Sequence, residues 1–527
     1  MPFALVQAIA ELPEAALHGG LAHLQAAEFL YETRLFPEHA YTFKHALTHE
    51  VAYSSLLLEQ RRALHARIVE ALEALAGERG TEQVERLAHH ALRGEVWDKA
   101  LAYCRQAGEK VMARSAYHEA VEYFAQALSA LSHLPEQRHT REQAVDLRLA
   151  LHSALLPSGN EGRILAYLRE AESLAAALDD RRRLGQVSRT LSVHFYLMGA
   201  HDQAITAAQC ALALATADGN VVLQALAALR LGLAYVGRGD YRRAIDHFRQ
   251  TVASLEGALR HERFGLVFMP AVLACSWLAV CHAELGRLAE GSAFGAEGLR
   301  IAEAVAHPAS LMQASWGIGL LSLRQGDLPR ALPLLERAVG ICQDADLPAY
   351  FPLMGAALGA AYTLGGRVAD AVPLLTQARE QAITAELVVT EQALCSFSLG
   401  EAQARAGRLE EAHALAEGAL ALPRERQERG NQAYALRLLG DIATRRESPE
   451  SMQAEAYYRQ ALALAEKLGM RPLQAHCHRG LGTLYAKIGL REQARTAFAT
   501  AIEIYHAMNM TFWLPQAEAV LAQVKGR

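Results

Sequence analysis

The chain has 527 residues, of which 52% are hydrophobic but only 7% aromatic, and its formal net charge is −5. A core drawn mainly from Ala and Leu favours packed helices over sheet, and the charge leaves no electrostatic footprint for a nucleic-acid backbone or an anionic membrane. Seven cysteines with no C-x-x-C pair read as small buried residues of a reducing, cytoplasmic compartment.

Residues 1–80 are set apart. Leu5 to Ala10 and Glu14 to Ala27 predict short helices without the charged n-region of a secretory signal, since the first basic residue is Arg34. Phe29–Thr33 and Tyr41–Phe43 are β-prone and flank Phe36-Pro-Glu-His39, which predicts a hairpin. Further helices are expected at about His45 to Leu58 and Arg61 to Ala76. Helix, helix, hairpin and helix make a winged-helix pattern. Met1 to Gln60 carries two basic residues against seven acidic ones, a balance that repels phosphates, so a relay between domains is expected here in place of DNA binding.

Residues 81–160, starting near Glu82, hold irregular first helical repeats. Ala100, Cys104 and Ala107 follow Trp97, and Ala120, Phe124 and Ala127 follow Tyr117. Leu134 to Arg141 is polar and contains proline, and Pro157-Ser-Gly-Asn160 reads as a loop. Asp179-Asp-Arg-Arg-Arg183 is a charged run at a predicted inter-helix turn, read as solvated.

Residues 161–527 repeat one phrase: a turn glycine, Ala five positions on, often an aromatic or Leu four later, and Ala again after three more. The first Ala falls at 204, 244, 331, 371, 412, 454 and 494, with Gly291 in its place in one copy, at spacings of 40, 47, 40, 40, 41, 42 and 40. A period near 40 signals a solenoid of helical hairpins. Glycine would end helix A in a left-handed turn, and the alanines would let helix B approach its neighbour closely. Pro308 and Pro472 open helix A, where a missing N–H costs nothing. One hairpin cannot bury its apolar face alone, so the hairpins must stack. The expected fold is all-α: a tetratricopeptide-like right-handed superhelix with a small N-terminal winged-helix-like domain. Two charge-free stretches, Phe264 to Cys281 and Leu347 to Gly366, reach membrane-span length. Pro270, Pro348 and Pro352 interrupt them where the repeat places helix A, so buried solenoid helices are expected and no membrane partner.

Tyr41-Thr-Phe-Lys-His-Ala-Leu-Thr-His-Glu-Val-Ala-Tyr53, followed by Arg61-Arg-Ala-Leu-His65, resembles the segment after the ATPase module of bacterial class III adenylate/guanylate cyclases with AAA/STAND and tetratricopeptide regions. Ala433–Gly440, Leu468–His478 and Met510–Leu514 resemble the C-terminal repeats of the same proteins, so the resemblance covers essentially the whole chain. It implies the order cyclase, nucleotide-binding domain, winged helix and repeats. This chain holds no G-x-x-x-x-G-K-[ST] loop and no cyclase domain. The expectation is therefore a non-catalytic interaction or regulatory module of a signalling ATPase or nucleotide-cyclase system. It would bind a protein, peptide or effector on the concave face, or an ATPase or cyclase domain in trans. Two alternatives stand beside it. One is a C-terminal fragment of such a cyclase, to which the opening on Met1-Pro-Phe inside the winged-helix region points. The other is the sensor region of a maltose-activator-like transcription regulator, although only 14 residues follow Trp513, too few for a helix-turn-helix domain.

No catalytic residue, cofactor or metal site is expected. Phe43-Lys-His45 resembles the winged-helix motif whose histidine reaches the β-phosphate of ADP in STAND ATPases. The resemblance thus implies that His45 is a nucleotide-sensor relic with a retained structural role. His45 and His49 share a helix face but lack a third ligand, and His476 and His478 point apart on a helix. Trp97, Trp277, Trp316 and Trp513 read as packing residues, and Gly317-Ile-Gly319 as a close-packing helix surface.

Overall fold

The structure is a computed structural model that describes residues 1–34, 39–76, 83–114, 116–156, 161–384, 389–446 and 451–526. The predicted hairpin tip at 36–38, the array start at Glu82 and the loop at 157–160 lie outside the described residues. The chain divides into two compact units, Met1–Asp179 and Asp180–Arg527.

The first unit opens with α1 (Phe3–Ala10), α2 (Glu14–Ala26), β1 (Leu30–Arg34), β2 (Ala40–Phe43), α3 (Ala46–Ser55) and α4 (Leu58–Ala76), in the predicted order. The strands pair antiparallel, with Leu30 opposite Phe43 and a register slip between Glu32 and Arg34. Phe3 N–H donates to the His39 carbonyl at 2.7 Å, and Leu5 and Ile9 share a buried cluster with Val69 and Leu72 of α4. Then follow α5 (Val84–Arg93), α6 (Trp97–Met112), α7 (Tyr117–Leu131), α8 (Arg138–Leu155) and α9 (Glu161–Ala177). Ala100 and Ala120 are both fully buried but sit on the consecutive helices α6 and α7, so here the phrase marks both arms of one hairpin. The polar stretch before α8 supplies its start, because Gln137 and Thr140 form a capping box.

The second unit is a run of hairpins. Its helices are α10 (Arg181–Leu197), α11 (His201–Ala217), α12 (Val221–Arg238), α13 (Tyr241–Ser254), α14 (Pro270–Glu284), α15 (Leu288–Val305), α16 (Pro308–Gln325), α17 (Leu328–Asp344) and α18 (Phe351–Leu364). They continue with α19 (Val368–Thr384), α20 (Val389–Arg405), α21 (Leu409–Arg426), α22 (Arg429–Arg445), α23 (Ser451–Leu468), α24 (Arg471–Lys487), α25 (Arg491–Ala507) and α26 (Leu514–Gly526). Even-numbered helices from α10 to α24 are the A arms. The two charge-free stretches contain α14 and α18, both A arms. Among the described helices, α12 alone is long and apolar enough to cross a membrane by length and composition, and 61% of it is buried.

Every first alanine of the phrase is fully buried. The turn glycines Gly199, Gly239, Gly286, Gly326, Gly366, Gly407 and Gly489 have φ between +72° and +84°, a region that a Cβ disfavours. A second small position completes the lock. Gly232, Gly319, Gly359 and Gly482 on A arms face Phe248, Leu335, Leu375 and Phe498 on the following B arms, and a Cβ at any of them would collide with that side chain. The same pairing joins Gly108 to Phe124 in the first unit. In α15 the small residues change sides: a Cβ at Gly291 would strike Leu321, and one at Gly298 would lie 2.9 Å from Cys275 Cβ. The 47-residue spacing arises from a 3-10 turn, Gly257–His261, and the loop leading to Met269 before α14. Asp180, read in sequence as part of a solvated run, is instead the partly buried cap of α10. Its carboxylate accepts from Arg183 N–H at 3.0 Å and from the Arg183 guanidinium at 2.7 Å.

Candidate functional site

The run of A arms in the second unit curls until α12 touches α22 and α14 touches α24. The turn glycines make this possible a second time, by backbone approach. A Cβ on Gly239 would lie 2.9 Å from Gly430 N, while Gly286 abuts Met508 and Gly326 abuts Phe512 and Trp513. The inward faces of the A arms thereby line two joined cavities that share Arg324, Phe397 and Tyr434.

The first is an aromatic chamber, open to solvent, walled by Tyr196, Trp277, Trp316, Leu320, Leu353, Leu394, Phe397 and Tyr434. Trp277 and Trp316 meet edge to face with centroids 5.0 Å apart. Glu391, half-buried, reaches this chamber without a basic partner among the described residues, and desolvation pushes its carboxyl up to about 8.

The second is a charged belt. Arg324 Nε donates to Glu284 Oε1 at 2.8 Å, Tyr434 donates its hydroxyl to Glu284 Oε2 at 2.6 Å, and the Arg324 guanidinium carbon lies 4.7 Å from the Tyr434 ring centroid. Burial opposes the Arg324 charge, but Glu284 and Tyr434 more than offset it, and its pKa stands above the ordinary value. Arg437 is held between Glu401 and Asp441, and Asp441 also accepts the Tyr458 hydroxyl at 2.6 Å. Three further arginines, Arg405, Arg445 and Arg479, come from the A arms α20, α22 and α24. Arg445 donates to the Ala404 carbonyl at 2.8 Å. Arg405 and Arg479 have no acceptor among the described residues. Arg405 and Arg445 are exposed and Arg479 is half-buried; partial desolvation lowers the Arg405 pKa, Glu401 raises it, and the neighbouring guanidiniums of Arg445, Arg479 and Arg437 lower it further. The same three arginines also line a second, outer cavity.

His476 belongs to this interior: its Nδ1 is 2.7 Å from the Tyr505 hydroxyl and its ring meets Trp513 edge-on at 4.8 Å. Burial, then the nearby arginines, hold its pKa well below the usual histidine value, so the ring is neutral. Cys477 beside it is fully buried, and His478 lies on another face of α24. Among the described residues no group of three or more His, Cys, Asp or Glu side chains could hold a metal ion. Trp277, Trp316 and Trp513 pack as expected while also walling the cavities, and Trp97 stacks on His133 at 4.0 Å. Gly317 and Gly319 are close-packing positions, against Ser276 and Leu335.

In the first unit His45 is an exposed N-cap of α3 whose side chain makes no capping bond, and His49 lies against Phe43 and Tyr53. A histidine pair that the sequence did not single out lies nearby. His65 Nδ1 is 2.8 Å from His90 Nδ1, and the Tyr53 hydroxyl is 3.0 Å from His65 Nε2. The arginine belt was missed as well, although Arg324 and Arg405 both stand two residues before a turn glycine.

Residues 183–257, spanning α10 to α13, match the tetratricopeptide repeat family. An uncharacterized protein of Rhizobium meliloti is 28% identical over 169 residues, which is 32% of this chain and 16% of that protein's length. The chain thus spans a small part of that curated relative. Among solved structures, a Rap protein complexed with competence and sporulation factor is similar with a TM-score of 0.51 at 14% identity, covering 70% of this chain and 98% of that one. A Pyrococcus horikoshii signal transduction ATPase with numerous domains (STAND), which has a tetratricopeptide repeat sensor, has a TM-score of 0.41 at 14% identity, covering 73% of this chain and 55% of that one. The fold is all-α and tetratricopeptide-like.

Proposed function

We propose that this chain is a non-catalytic regulatory module of a cytoplasmic bacterial signalling ATPase or nucleotide-cyclase system, and that it receives a peptide or protein segment inside the superhelix. One observation carries the reading: Arg405 and Arg479 face a cavity with no acceptor, next to an aromatic chamber, which is the composition of a surface kept for an anionic and partly apolar ligand. The Rap protein of similar fold is complexed with competence and sporulation factor, which makes occupancy of such a stack the property to test. Residues 1–80 are assigned to a winged-helix-like relay, residues 81–160 to irregular first repeats and residues 161–527 to the regular array. His45 is assigned the place of a nucleotide-sensor relic.

The test is a pull-down read by quantitative mass spectrometry, using the whole chain and its Leu320→Lys variant, which places a charge in the chamber. A defined partner held by the wild type and released by a variant of unchanged circular dichroism supports the reading. Nothing above background, or a partner held equally by both, overturns it. Titration with ATP and ADP is expected to give no tight binding, and micromolar affinity would favour an enzyme instead.

A further inference from the structure

We infer that α3 is a proton-released arm of the first unit, fastened by a hydrogen-bonded chain through Tyr53, His65 and His90 in place of an apolar core; this stands apart from whatever the superhelix binds. No residue of α3 is buried. Its aliphatic side chains, Leu47 and Val51, lie one turn apart and are 69% and 62% exposed. His49 and Tyr53, on the opposite side of the helix, meet Phe43 and His65 edge to face at 5.1 Å and 5.9 Å. A helix of ten residues that buries no apolar face is marginal in water, so its polar ties decide whether it stays in place.

Those ties suit neutral rings. Arg93 donates to the Tyr53 hydroxyl at 3.3 Å, that hydroxyl lies 3.0 Å from His65 Nε2, and His65 Nδ1 lies 2.8 Å from His90 Nδ1. With both histidines neutral, Tyr53 donates to His65 Nε2 and the His65 Nδ1–H donates to His90 Nδ1, so every link is satisfied. One added proton is still housed, because on His65 Nε2 it makes the Tyr53 oxygen an acceptor. A second turns both Nδ1 atoms into donors facing each other across 2.8 Å, and no choice of tautomer repairs that contact. The charged and titratable groups around the pair are His49 and Tyr53 from α3, Arg61 over the Tyr53 ring from α4, and Arg86, His89 and Arg93 from α5, while Arg62 is taken up by Glu95 at 2.6 Å. Among the described residues no carboxylate acts on either ring. Burial first, then the neighbouring histidines and arginines, holds His90 down at about 4, and burial, Arg93 and His89 lower His65. The broken chain therefore takes up protons more readily than the intact one, and acid opens it. Arg61 still donates to the Ser54 and Leu56 carbonyls at 2.7 Å and 2.9 Å, so the helix lifts away from α4 and α5 with its C-terminal end tethered.

The experiment is hydrogen–deuterium exchange of the whole chain read by mass spectrometry between pH 7.5 and 4.5, corrected for the intrinsic pH dependence of exchange, with peptides from α3 compared with peptides from α6. In the wild type the protection of α3 is expected to fall by about tenfold or more towards pH 4.5, the scale of one hydrogen bond, while α6 stays protected. Tyr53→Phe is expected to show the low α3 protection already at pH 7.5, with no further loss in acid. His90→Gln, which accepts from His65 but cannot take the second proton, is expected to keep α3 protected at pH 4.5. Protection of α6 in each variant checks that the unit remains folded. An α3 protection that does not change with pH in the wild type, a loss shared equally by α3 and α6, or a His90→Gln variant that loses α3 as the wild type does would each overturn the inference.

Discussion

Tyr434 on α22 donates its hydroxyl to Glu284 on α14 at 2.6 Å, joining residues 150 apart in sequence. Ordinary solenoid contacts run between neighbours only. This bond, with Arg324 on the same carboxylate, fastens one turn of the superhelix to the next. Glu284 is nearly sealed from solvent, with a side chain 5% exposed, so its charge depends on both partners.

Removing one member of that cluster is expected to loosen the closure. Tyr434→Phe should cost about 1–3 kcal/mol, the penalty of a lost hydrogen bond to a charged group. Glu284→Ala should cost about 3–5 kcal/mol, because it strands Arg324. A double-mutant cycle read by denaturant unfolding should show coupling between the two sites, and strictly additive losses would mean that the helices close without this bond.

Glycines under large side chains should resist a single methyl. Gly232→Ala meets Phe248 and Gly359→Ala meets Leu375, and each is expected to destabilise by about 1–3 kcal/mol through overpacking. Gly340→Ala, in α17 with nothing near its added Cβ, should stabilise by about 0.5–1 kcal/mol through helix propensity. Thermal melts of the three variants distinguish the cases by sign.

The His65–His90 pair should make the first unit acid-sensitive. His90 is lowered to about 4, first by burial and then by His65, His89, Arg86 and Arg93, and His65 is lowered by burial, Arg93 and His89. A histidine whose folded pKa lies below its unfolded value takes up protons more readily when unfolded. The stability it lends is therefore intact above about 6.5 and is lost as pH falls from there towards 4. Melting temperatures of the wild type and a His65→Gln/His90→Gln variant, compared from pH 7.5 to 4.5, should converge at the acid end; parallel curves would rule out the pair as the source.

Glu391 carries the opposite sign. Its folded pKa of about 8 exceeds that of a free carboxyl, so the unfolded chain loses its proton first. Stability is highest below about 4.5 and declines as pH rises to about 8. Glu391→Gln keeps the shape without the titration, and its melting temperature should gain on the wild type over that interval. An unchanged difference between pH 5 and pH 8.5 would place the carboxyl in contact with water.

The repeat itself was legible because its rule is local. Small residues at Ala204, Ala244, Ala331 and their equivalents are required wherever two helices touch at one register, and the turn glycines wherever helix A ends. The pairing of Gly232 with Phe248 and of Gly359 with Leu375 was equally present in the sequence, but its message lies in two residues together, whereas the alanines speak singly. The contact of Gly239 with Gly430 could not be read, since it depends on curvature accumulated over several hairpins. The belt lay between these cases. A shared register put Glu284, Arg324 and Arg405 on one face and let Arg324 pair with Glu284 across successive A arms, while the bond from Tyr434 waited on α22, which reaches Glu284 only when the stack closes. The run 179–183 lies at the expected inter-helix turn with Asp179, Arg181 and Arg182 exposed, and only the Asp180 cap escaped the sequence, because a cap and a solvated charge share the same residue types.

The clasp between α14 and α22 turns repeat number into a fixed quantity. An open solenoid can gain or lose a hairpin and keep its character, as each unit answers only to its neighbours. Here an inserted hairpin between Glu284 and Tyr434 would carry the two out of reach, and a deleted one would bring the wrong faces together. Duplication and loss of units, the usual way in which such arrays change length, are thereby closed to this stretch of the chain, which can vary only by substitution.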